Sequence, residues 1–313
     1  MKCIVTGAAG FIGSHLSERL LALGHEVVGI DCFTDYYARS FKEANLAQAR
    51  RHPRYRFIAD DLNRLDLTAV LSPGDWIFHQ AAQAGVRASW GDSFRIYTEL
   101  NINATQRLLE ACKDLRPARF VYASSSSVYG NTDKFPEHED DHPRPISPYG
   151  VTKLAAEHLC VLYHKAYGVP TVSLRYFTVY GPRQRPDMAF HKWCRAALAD
   201  RELPVFGDGE QTRDFTFVDD IVDGVVAAAT ADCEGQVMNL GGGHRVTVNQ
   251  VLAVLREING RDLRLVDQGK QRGDVRHTAA DIERAQRLLG YSPKVALTDG
   301  LRAEYEWLRG LKE

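Results

Sequence analysis

A tyrosine and a lysine stand four residues apart in Tyr149-Gly-Val-Thr-Lys153, a spacing that places both side chains on one face of a helix. A phenol has a pKa of about 10, and a nearby ammonium group lowers that pKa because it favours the phenolate. The pair can therefore transfer protons near neutral pH. The same spacing also arises by chance on surface helices, so its meaning depends on whether the chain supplies a cofactor and a substrate pocket.

Glycines follow the first apolar run of the chain, at Gly7, Gly10 and Gly13. A helical pattern comes next, and then a second apolar run that ends at Asp31. Backbone amides at such a turn bind a pyrophosphate, and glycine removes the side chains that would block it. Asp31 would accept hydrogen bonds from ribose hydroxyls and repel a 2′-phosphate, which favours NAD over NADP. The alternative is that Asp31 only ends a strand.

Apolar runs alternate with helical patterns through the first half of the chain. This alternation predicts an α/β fold, a doubly wound parallel (Rossmann) sheet with its site at the carboxyl ends of the strands. After Arg175 the pattern becomes irregular, which predicts a cofactor-binding domain at 1–175 and a smaller, mostly helical substrate lobe at 176–313. A segment near 214–242 is predicted to return to the main sheet. Strands are predicted at 2–6, 26–30, 55–58, 76–79, 119–123, 170–174, 213–217 and 236–240, and helices at 94–114, 149–167, 247–258, 281–289 and 297–309.

The bulk composition excludes several classes of protein. The formal net charge is -1, from 39 basic and 40 acidic residues, which is not the charge of a nucleic-acid-binding protein. No apolar run approaches the ~18 residues needed to span a bilayer, and the first strand begins too early to leave room for a signal peptide. The six cysteines form no Cys-x-x-Cys pair, which argues against a zinc site and predicts reduced thiols in the cytoplasm.

Several motifs together resemble the extended short-chain dehydrogenase/reductase superfamily, and more narrowly its nucleotide-sugar epimerases and dehydratases. The glycine turn, Asp31, Ser125 and the Tyr149–Lys153 pair carry this resemblance, which covers nearly the whole chain. The segments most similar to UDP-glucuronate 4-epimerases are Tyr122-Ala-Ser-Ser-Ser-Ser-Val-Tyr-Gly130, Ala81-Ala-Gln-Ala-Gly-Val-Arg87, Phe177-Thr-Val-Tyr-Gly-Pro182 and Arg185-Pro-Asp-Met-Ala189.

The resemblance implies a role for each matching residue. Tyr149 would be the acid/base, Lys153 its pKa-lowering partner, and Ser125 the hydroxyl that orients the sugar oxygen. NAD would be the cofactor, held at its pyrophosphate by Gly7, Gly10, Phe11, Ile12 and Gly13, at its ribose by Asp31 and at its adenine by Asp61 and Leu62. The remaining NAD contacts would come from Ala81, Ala82, Gln83, Asn101, Tyr122, Tyr149, Lys153 and Tyr176.

Four consecutive serines, Ser124–Ser127, distinguish between reactions within the superfamily. Dehydratases place an Asp-Glu pair directly after the position of Ser125, and related decarboxylases place a glutamate at the position of Ser127. Here Ser126 and Ser127 cannot act as carboxylic acid catalysts, so epimerisation through a transient 4-keto sugar is implied. The alternative is that Ser126 is a strand-end hydroxyl bonded to the backbone.

Candidate substrate contacts lie mostly in the second lobe. Arg185 would bind a sugar carboxylate, because a guanidinium fork matches a carboxylate, or it is a loop arginine that contacts phosphate or solvent. Phe206 would stack on uracil, or it belongs to an apolar core with Val205. Family members often carry either arginine or glutamine at the position of Gln271. The glutamine of this chain weakens the assignment of a phosphate contact there. The further candidates are Ser126, Ser127 and Thr178 for the sugar, and Arg213 and Arg276 for the diphosphate.

Three functions are compatible with these residues. They are a UDP-glucuronate 4-epimerase, a 4-epimerase of UDP-glucose or an N-acetylated UDP-hexose, and a non-catalytic dinucleotide sensor. The intact Tyr149, Lys153 and Ser125 argue against the sensor. His138 and His142 lie in an acidic loop, where a solvated loop is expected rather than a metal site. In similar proteins the helices near 94–114 and 150–166 form a four-helix dimer interface, so a homodimer is expected.

Overall fold

The central sheet is built from seven parallel strands. In the computed structural model, which describes residues 1–269 and 275–311, these are β1 (Lys2–Thr6), β2 (Glu26–Ile30), β3 (Tyr55–Ile58), β4 (Trp76–His79), β5 (Arg119–Ser125), β6 (Thr171–Tyr176) and β11 (Val237–Leu240). Their order is β11-β6-β5-β4-β1-β2-β3, and every neighbouring pair is parallel. The predicted doubly wound sheet is confirmed, as is the returning strand of the second half.

Helices cover both faces of this sheet. They are α1 (Phe11–Ala22), α2 (Arg39–Leu46), α3 (Phe94–Tyr97), α4 (Ala104–Leu115), α5 (Pro148–Tyr167), α6 (Ala189–Leu198), α7 (Val218–Thr230), α8 (Val248–Asn259), α9 (Glu283–Leu289) and α10 (Leu297–Gly310). A π-helical segment, Thr98–Asn103, joins α3 to α4 without a break, so the predicted helix at 94–114 is one continuous helical stretch.

The strands are apolar throughout because each is buried on both faces. Along β1, Cys3 and Val5 pack into a core that includes α1 and α7. Ile4 points to the opposite face and packs into a second core with residues of α4 and α5. The short apolar runs in the sequence therefore mark strands of a two-sided sheet.

The helix that carries Tyr149 and Lys153 is defined at both ends. The Ser147 hydroxyl accepts a hydrogen bond from the Gly150 N–H at 3.1 Å, and Pro148 occupies the first turn. Gly168 ends α5 in the left-handed conformation, with φ of +70°. This placement puts Tyr149 in the first turn and Lys153 one turn later, at the end of the helix nearest the carboxyl edge of the sheet.

Residues after β6 form small sheets beside the main one. β7 (Thr178–Tyr180) pairs with β10 (Phe215–Phe217), β9 (Thr212–Arg213) pairs with β12 (Val246–Thr247), and β8 (Leu203–Val205) pairs with β13 (Leu265–Asp267).

The predicted strand at 213–217 is wrong in one respect, because it is divided at Asp214 into β9 and β10. The buried Asp214 carboxylate accepts N–H groups from Gly242 at 2.5 Å and Ala280 at 3.1 Å. These bonds hold the chain at a corner, where the strand changes from one small sheet to another. Within the described ranges, no helix is long and apolar enough to cross a membrane.

Candidate active site

A cavity opens at the carboxyl ends of the central strands, between β1 and β4, where the chain leaves the sheet in opposite directions. Such a switch point is where doubly wound sheets bind their ligands. Most of the residues predicted to bind NAD line this cavity, namely Gly7, Gly10, Phe11, Ile12, Gly13, Asp31, Asp61, Leu62, Ala81, Ala82, Gln83, Tyr149, Lys153 and Tyr176.

The glycine turn is packed so tightly that a side chain has no room. A Cβ on Gly13 would lie 2.2 Å from the Gly7 carbonyl oxygen, and Gly7 itself has a φ of +67°. The Gly10 N–H donates to the same Gly7 oxygen at 3.0 Å. The turn therefore brings bare backbone and the N-terminus of α1 to the cavity, which is the arrangement that suits a pyrophosphate.

Asp31 lies at the end of β2, where its carboxylate is anchored by the backbone. It accepts the Ala9 N–H at 3.1 Å and the Phe33 N–H at 2.8 Å. Burial raises the pKa of Asp31, and these two hydrogen bonds together with the Lys42 charge oppose that rise. The carboxylate is thus oriented at the cavity wall, as a ribose ligand would need to be.

Gln80 supplies a further polar group that sequence analysis missed. Its Oε1 accepts the Tyr176 hydroxyl at 3.0 Å, while its buried Nε2 has no hydrogen-bond partner among the described residues. Gln80 lines the cavity, so this unpaired donor is available to a bound group. Together with the glycine turn and Asp31, it makes a set of residues that fits NAD.

Two predicted NAD contacts, Asn101 and Tyr122, are not among the residues that line the cavity. Asn101 is buried in the π-helical segment, where its Oδ1 accepts the Gln83 N–H at 2.7 Å and its Nδ2 donates to Thr152 Oγ1 at 2.9 Å. Tyr122 lies beneath Lys153, whose Nζ is 4.7 Å from the centre of the ring. Both residues support the wall of the cavity from behind.

The structure brings the three predicted catalytic residues together. Burial raises the pKa of Tyr149, and a hydrogen bond from Ser125 and the charge of Arg185 lower it. The sequence predicts that Lys153 lowers this pKa, but burial acts on the lysine as well and lowers the pKa of the lysine itself to about 7. The chain alone therefore holds a neutral phenol, and Ser125 and Arg185 are the groups that favour its ionised form.

The buried Lys153 makes stability depend on pH. Its pKa falls from an ordinary 10.5 to about 7, so between these pH values the unfolded chain binds a proton that the folded chain does not. Stability contributed by this group therefore rises with pH across that window. The free energy of unfolding should therefore rise with pH in the wild type. Between pH 7 and pH 9 we expect this rise to be about 2 kcal/mol smaller in Lys153→Met. Urea unfolding of the NAD-free proteins measures this, and equal pH dependence in both would contradict it.

Arg185 is the predicted substrate contact that lines the cavity. Its guanidinium forms a bidentate ion pair with Asp187, at 2.9 Å and 3.0 Å. Ser125 ends β5, and its Oγ accepts the Ser127 N–H at 3.2 Å. Ser126 and Ser127 begin a short helical turn beyond that strand end, and Thr178 begins β7.

The residues predicted to hold the UDP half are not among those that line the cavity. Val205 is buried at the end of β8, and the Arg87 guanidinium lies 4.1 Å from the centre of the Phe206 ring. Arg213 donates to the carbonyl oxygen of Arg276 at 3.0 Å. Arg276 pairs with the exposed Asp208 at 2.9 Å. The two arginines are thus neighbours, while Gln271 falls outside the described residues.

The loop after β2 and the start of α2 provide cavity residues that the sequence analysis did not identify. They include Tyr36, Tyr37 and Lys42. The Lys42 ammonium donates to the Thr34 carbonyl oxygen at 2.8 Å, and its charge acts on Asp31. Their only sequence signal is their position just after Asp31. The acidic loop at His138 and His142 gives no cluster of three metal-binding side chains within the part of the chain that is described.

Known proteins with similar sequences include NAD-dependent epimerases. The NAD dependent epimerase/dehydratase family matches residues 3–241. A Bacillus subtilis protein named as an uncharacterized UDP-glucose epimerase, YtcB, is 46% identical over 99% of both chains. The UDP-glucuronate 4-epimerase of Thermodesulfobacterium geofontis is 36% identical over 97% of this chain and 95% of its own.

A solved structure is similar to this chain over its whole length. The crystal structure of UDP-glucuronic acid 4-epimerase from Bacillus cereus, in complex with UDP-glucuronic acid and NAD, has a TM-score of 0.95 and 45% identity, and 99% of each chain is covered. The predicted superfamily resemblance, NAD as the cofactor and an epimerase as the type of enzyme are confirmed. The chain belongs to the NAD dependent epimerase/dehydratase family.

Proposed function

We propose that this enzyme epimerises C4 of UDP-glucuronate with NAD and forms UDP-galacturonate through a transient 4-keto sugar. The observation that carries the proposal is that Arg185 lines the same cavity as Tyr149 and Lys153. Its charge also acts on the Tyr149 phenol. A guanidinium fork suits a sugar carboxylate, and the names of two similar proteins include UDP-glucuronate or UDP-glucuronic acid 4-epimerase.

The chemistry that bound NAD supplies is reversible acceptance of a hydride from the sugar C4. Tyr149, as phenolate, would take the proton of the 4-hydroxyl group when C4 is oxidised, and would give that proton back to the 4-keto oxygen when C4 is reduced from the opposite face of the ring. Ser125 donates to the Tyr149 oxygen and stabilises its ionised form. Lys153 lies one turn along α5 and adds positive charge to the site when it is protonated. The cavity must also allow the 4-keto sugar to turn over between the two steps.

The 4-keto form of glucuronate is a β-keto acid, which loses CO₂ when its carboxylate bond aligns with the ketone. We propose that Arg185 holds the carboxylate away from that alignment, with hydrogen bonds from Ser126, Ser127 and Thr178. Neither serine can act as a carboxylic acid, so no side chain at those positions promotes elimination or decarboxylation.

We also propose that the predicted contacts bind the UDP half of the substrate. Arg213 and Arg276 are close enough for both to approach one diphosphate. The Arg87 guanidinium lies over one face of the Phe206 ring. A uracil would therefore stack on the other face of that ring. Val205 would close the apolar side of this uridine site.

A neutral sugar is the second candidate, because the Bacillus subtilis relative is named as a UDP-glucose epimerase. The test is to incubate the purified, NAD-loaded protein with UDP-glucuronate and with UDP-glucose, and to resolve the products by chromatography. We expect UDP-galacturonate from the first substrate. Conversion of UDP-glucose alone would replace the proposal with the neutral-sugar candidate, and conversion of neither would support a non-catalytic dinucleotide sensor.

Arg185→Ala should weaken uronate turnover selectively. Loss of a charge-assisted hydrogen bond costs about 1.5–3 kcal/mol, so we expect kcat/KM for UDP-glucuronate to fall about 10- to 100-fold. The affinity for UDP-glucose, measured by competition, should change less than about twofold, because no carboxylate is present. Arg264→Ala, which removes an exposed partner of Asp200, is the matched control. Equal losses of affinity for acidic and neutral sugars would remove this role from Arg185.

We propose that the protein is a homodimer. Helices α4 and α5 pack side by side, and large apolar side chains are exposed on α5 and on the helical stretch that leads into α4. These are Val151, Leu162, Phe94 and Ile96. Light scattering tests the proposal, and a mass near the 35.1 kDa of one chain would contradict it.

We propose a division of labour between 1–175, which would bind NAD with the returning segment 214–242, and 176–313, which would bind the nucleotide sugar. Hydrogen exchange tests it, since a UDP-sugar added to the NAD-loaded protein should protect mainly 176–313.

A cytoplasmic location is also proposed, because all six cysteines are free thiols. Cell fractionation tests that location, and recovery outside the cytoplasm would contradict it.

A further inference from the structure

Arg185 does not stand alone in the cavity wall, because it has a built-in counter-ion. Its Nε and Nη2 donate to the two oxygens of Asp187 at 2.9 Å and 3.0 Å. A guanidinium presents five N–H groups in a rigid fork, and this pair uses one edge of it. Asp187 therefore fixes the plane of the guanidinium and leaves its other edge for a ligand.

Asp187 is in turn held by a cavity-lining residue from a segment that is distant in sequence. The Tyr36 hydroxyl donates to Asp187 Oδ2 at 3.0 Å. Tyr36 lies in the loop after β2, the strand that ends beside Asp31. Its hydroxyl is packed against Gly85, where an added Cβ would lie only 2.1 Å away. The orientation of Arg185 is thus defined by the loop that borders the cofactor region.

The chain around Arg185 is fixed to α1 as well. The Pro182 carbonyl oxygen accepts a hydrogen bond from His15 Nε2 at 2.9 Å. Arg183 forms an ion pair with Glu18 at 2.9 Å, and both side chains are mostly buried. The backbone on the N-terminal side of Arg185 is therefore anchored, and Asp187 and Tyr36 control the remaining freedom, which is that of the side chain.

A counter-ion at this position affects which anions bind. A bare arginine would attract any nearby anion, including the diphosphates that a dinucleotide and a UDP-sugar bring into the same region. Asp187 offsets the charge of Arg185 at a distance, because opposite charges seen from afar largely cancel. At contact the free edge of the fork still donates two parallel hydrogen bonds, which favours a planar carboxylate in one orientation. Selection then rests on contact geometry.

We propose that Asp187 is a positioning residue that holds Arg185 ready for the carboxylate of an acidic UDP-sugar, and that Tyr36 acts on Arg185 through Asp187. This inference rests on the proposed function. It adds two residues that determine specificity without touching the reacting atoms.

The test measures binding in holoenzyme that carries Tyr149→Phe, so that the sugars stay unconverted. Calorimetry gives the Kd of UDP-glucuronate and of UDP-glucose for this parent and for added Asp187→Ala, Asp187→Asn, Tyr36→Phe and the Asp187→Ala/Tyr36→Phe pair. We expect Asp187→Ala to weaken UDP-glucuronate about tenfold, or about 1.4 kcal/mol, and to leave UDP-glucose within about twofold. Asp187→Asn keeps one acceptor and should recover part of the loss.

The double variant tests the path from Tyr36 to Arg185. Tyr36→Phe should weaken UDP-glucuronate about threefold in the parent and should have no further effect once Asp187 is alanine. Additive losses would mean that Tyr36 does not act through Asp187. Asp200→Ala, which breaks an exposed aspartate–arginine pair elsewhere, is the control and should bind both sugars as the parent does.

Other outcomes overturn the inference outright. These are equal weakening of both sugars by Asp187→Ala, unchanged binding of both, and tighter binding of UDP-glucuronate. Thermal unfolding of each variant, within a few degrees of the parent, confirms that binding is compared between folded proteins. Failure of the proposed function would be seen separately, as wild-type enzyme that does not convert UDP-glucuronate.

Discussion

Tyr149→Phe is expected to lower kcat for UDP-glucuronate about a thousandfold, within the range typical of loss of a general acid/base. The substitution removes one oxygen atom from a partly buried side chain that contacts Ser125 and is packed edge-on against Tyr97. Because the ring remains, NAD content and Kd for UDP-sugars should stay within about twofold of the wild-type values. Single-turnover measurements with NAD-loaded enzyme separate the chemical step from binding.

The control for this prediction is Tyr167→Phe, at the other end of the same helix. Tyr167 is 57% exposed and lies far from the cavity lining, so this variant should turn over like the wild type. Retention of more than about a tenth of wild-type kcat in Tyr149→Phe would show that another group moves the proton.

Gly13→Ala should abolish stable retention of NAD. The added Cβ would meet the Gly7 carbonyl oxygen at 2.2 Å and the Ala8 Cα at 3.1 Å, and these backbone atoms can move away only if the turn opens. Overpacking of this severity costs about 3 kcal/mol, which corresponds to a loss of NAD affinity of about a hundredfold if the turn must be restored on binding. The absorbance of purified protein and a titration with NAD measure the effect.

Gly310→Ala provides a matched control, because a Cβ at that position meets no atom within 4 Å. It should retain NAD and unfold at the wild-type temperature. Stoichiometric NAD in purified Gly13→Ala would contradict the steric account of the turn.

Local patterns in the sequence were sufficient to predict the strands of the central sheet and the position of its site. Each strand is a short apolar run, and in a parallel sheet the residues that follow such runs meet at one edge. Gly7, Asp31, Ala81 and Ser125 are separated by many residues in sequence, yet all lie at strand ends. Their proximity therefore follows from topology alone.

Features that depend on side-chain contacts between distant segments were not predictable in the same way. The division of 213–217 at Asp214 depends on amides of Gly242 and Ala280, which no local pattern links to it. The pairing of Arg185 with Asp187 is local, but its link to Tyr36 requires two loops that are distant in sequence to come together.

The pKa of Tyr149 was the least predictable property of the site. Spacing along a helix predicts that Lys153 is near, but it says nothing about how far each group is removed from water. Burial acts on both side chains, raises the pKa of the phenol and lowers that of the amine to about 7. The contribution of Arg185, which comes from another segment, appears only once the chain is folded.

Isotope transfer at C4 tests whether one hydride leaves the sugar and returns to it within a single enzyme. UDP-glucuronate that carries deuterium at C4 is converted by the NAD-loaded protein, and the product is analysed by mass spectrometry and NMR. We expect UDP-galacturonate that keeps the deuterium at C4, with no net consumption of NAD. Loss of the label to solvent, or inversion at another carbon, would contradict it.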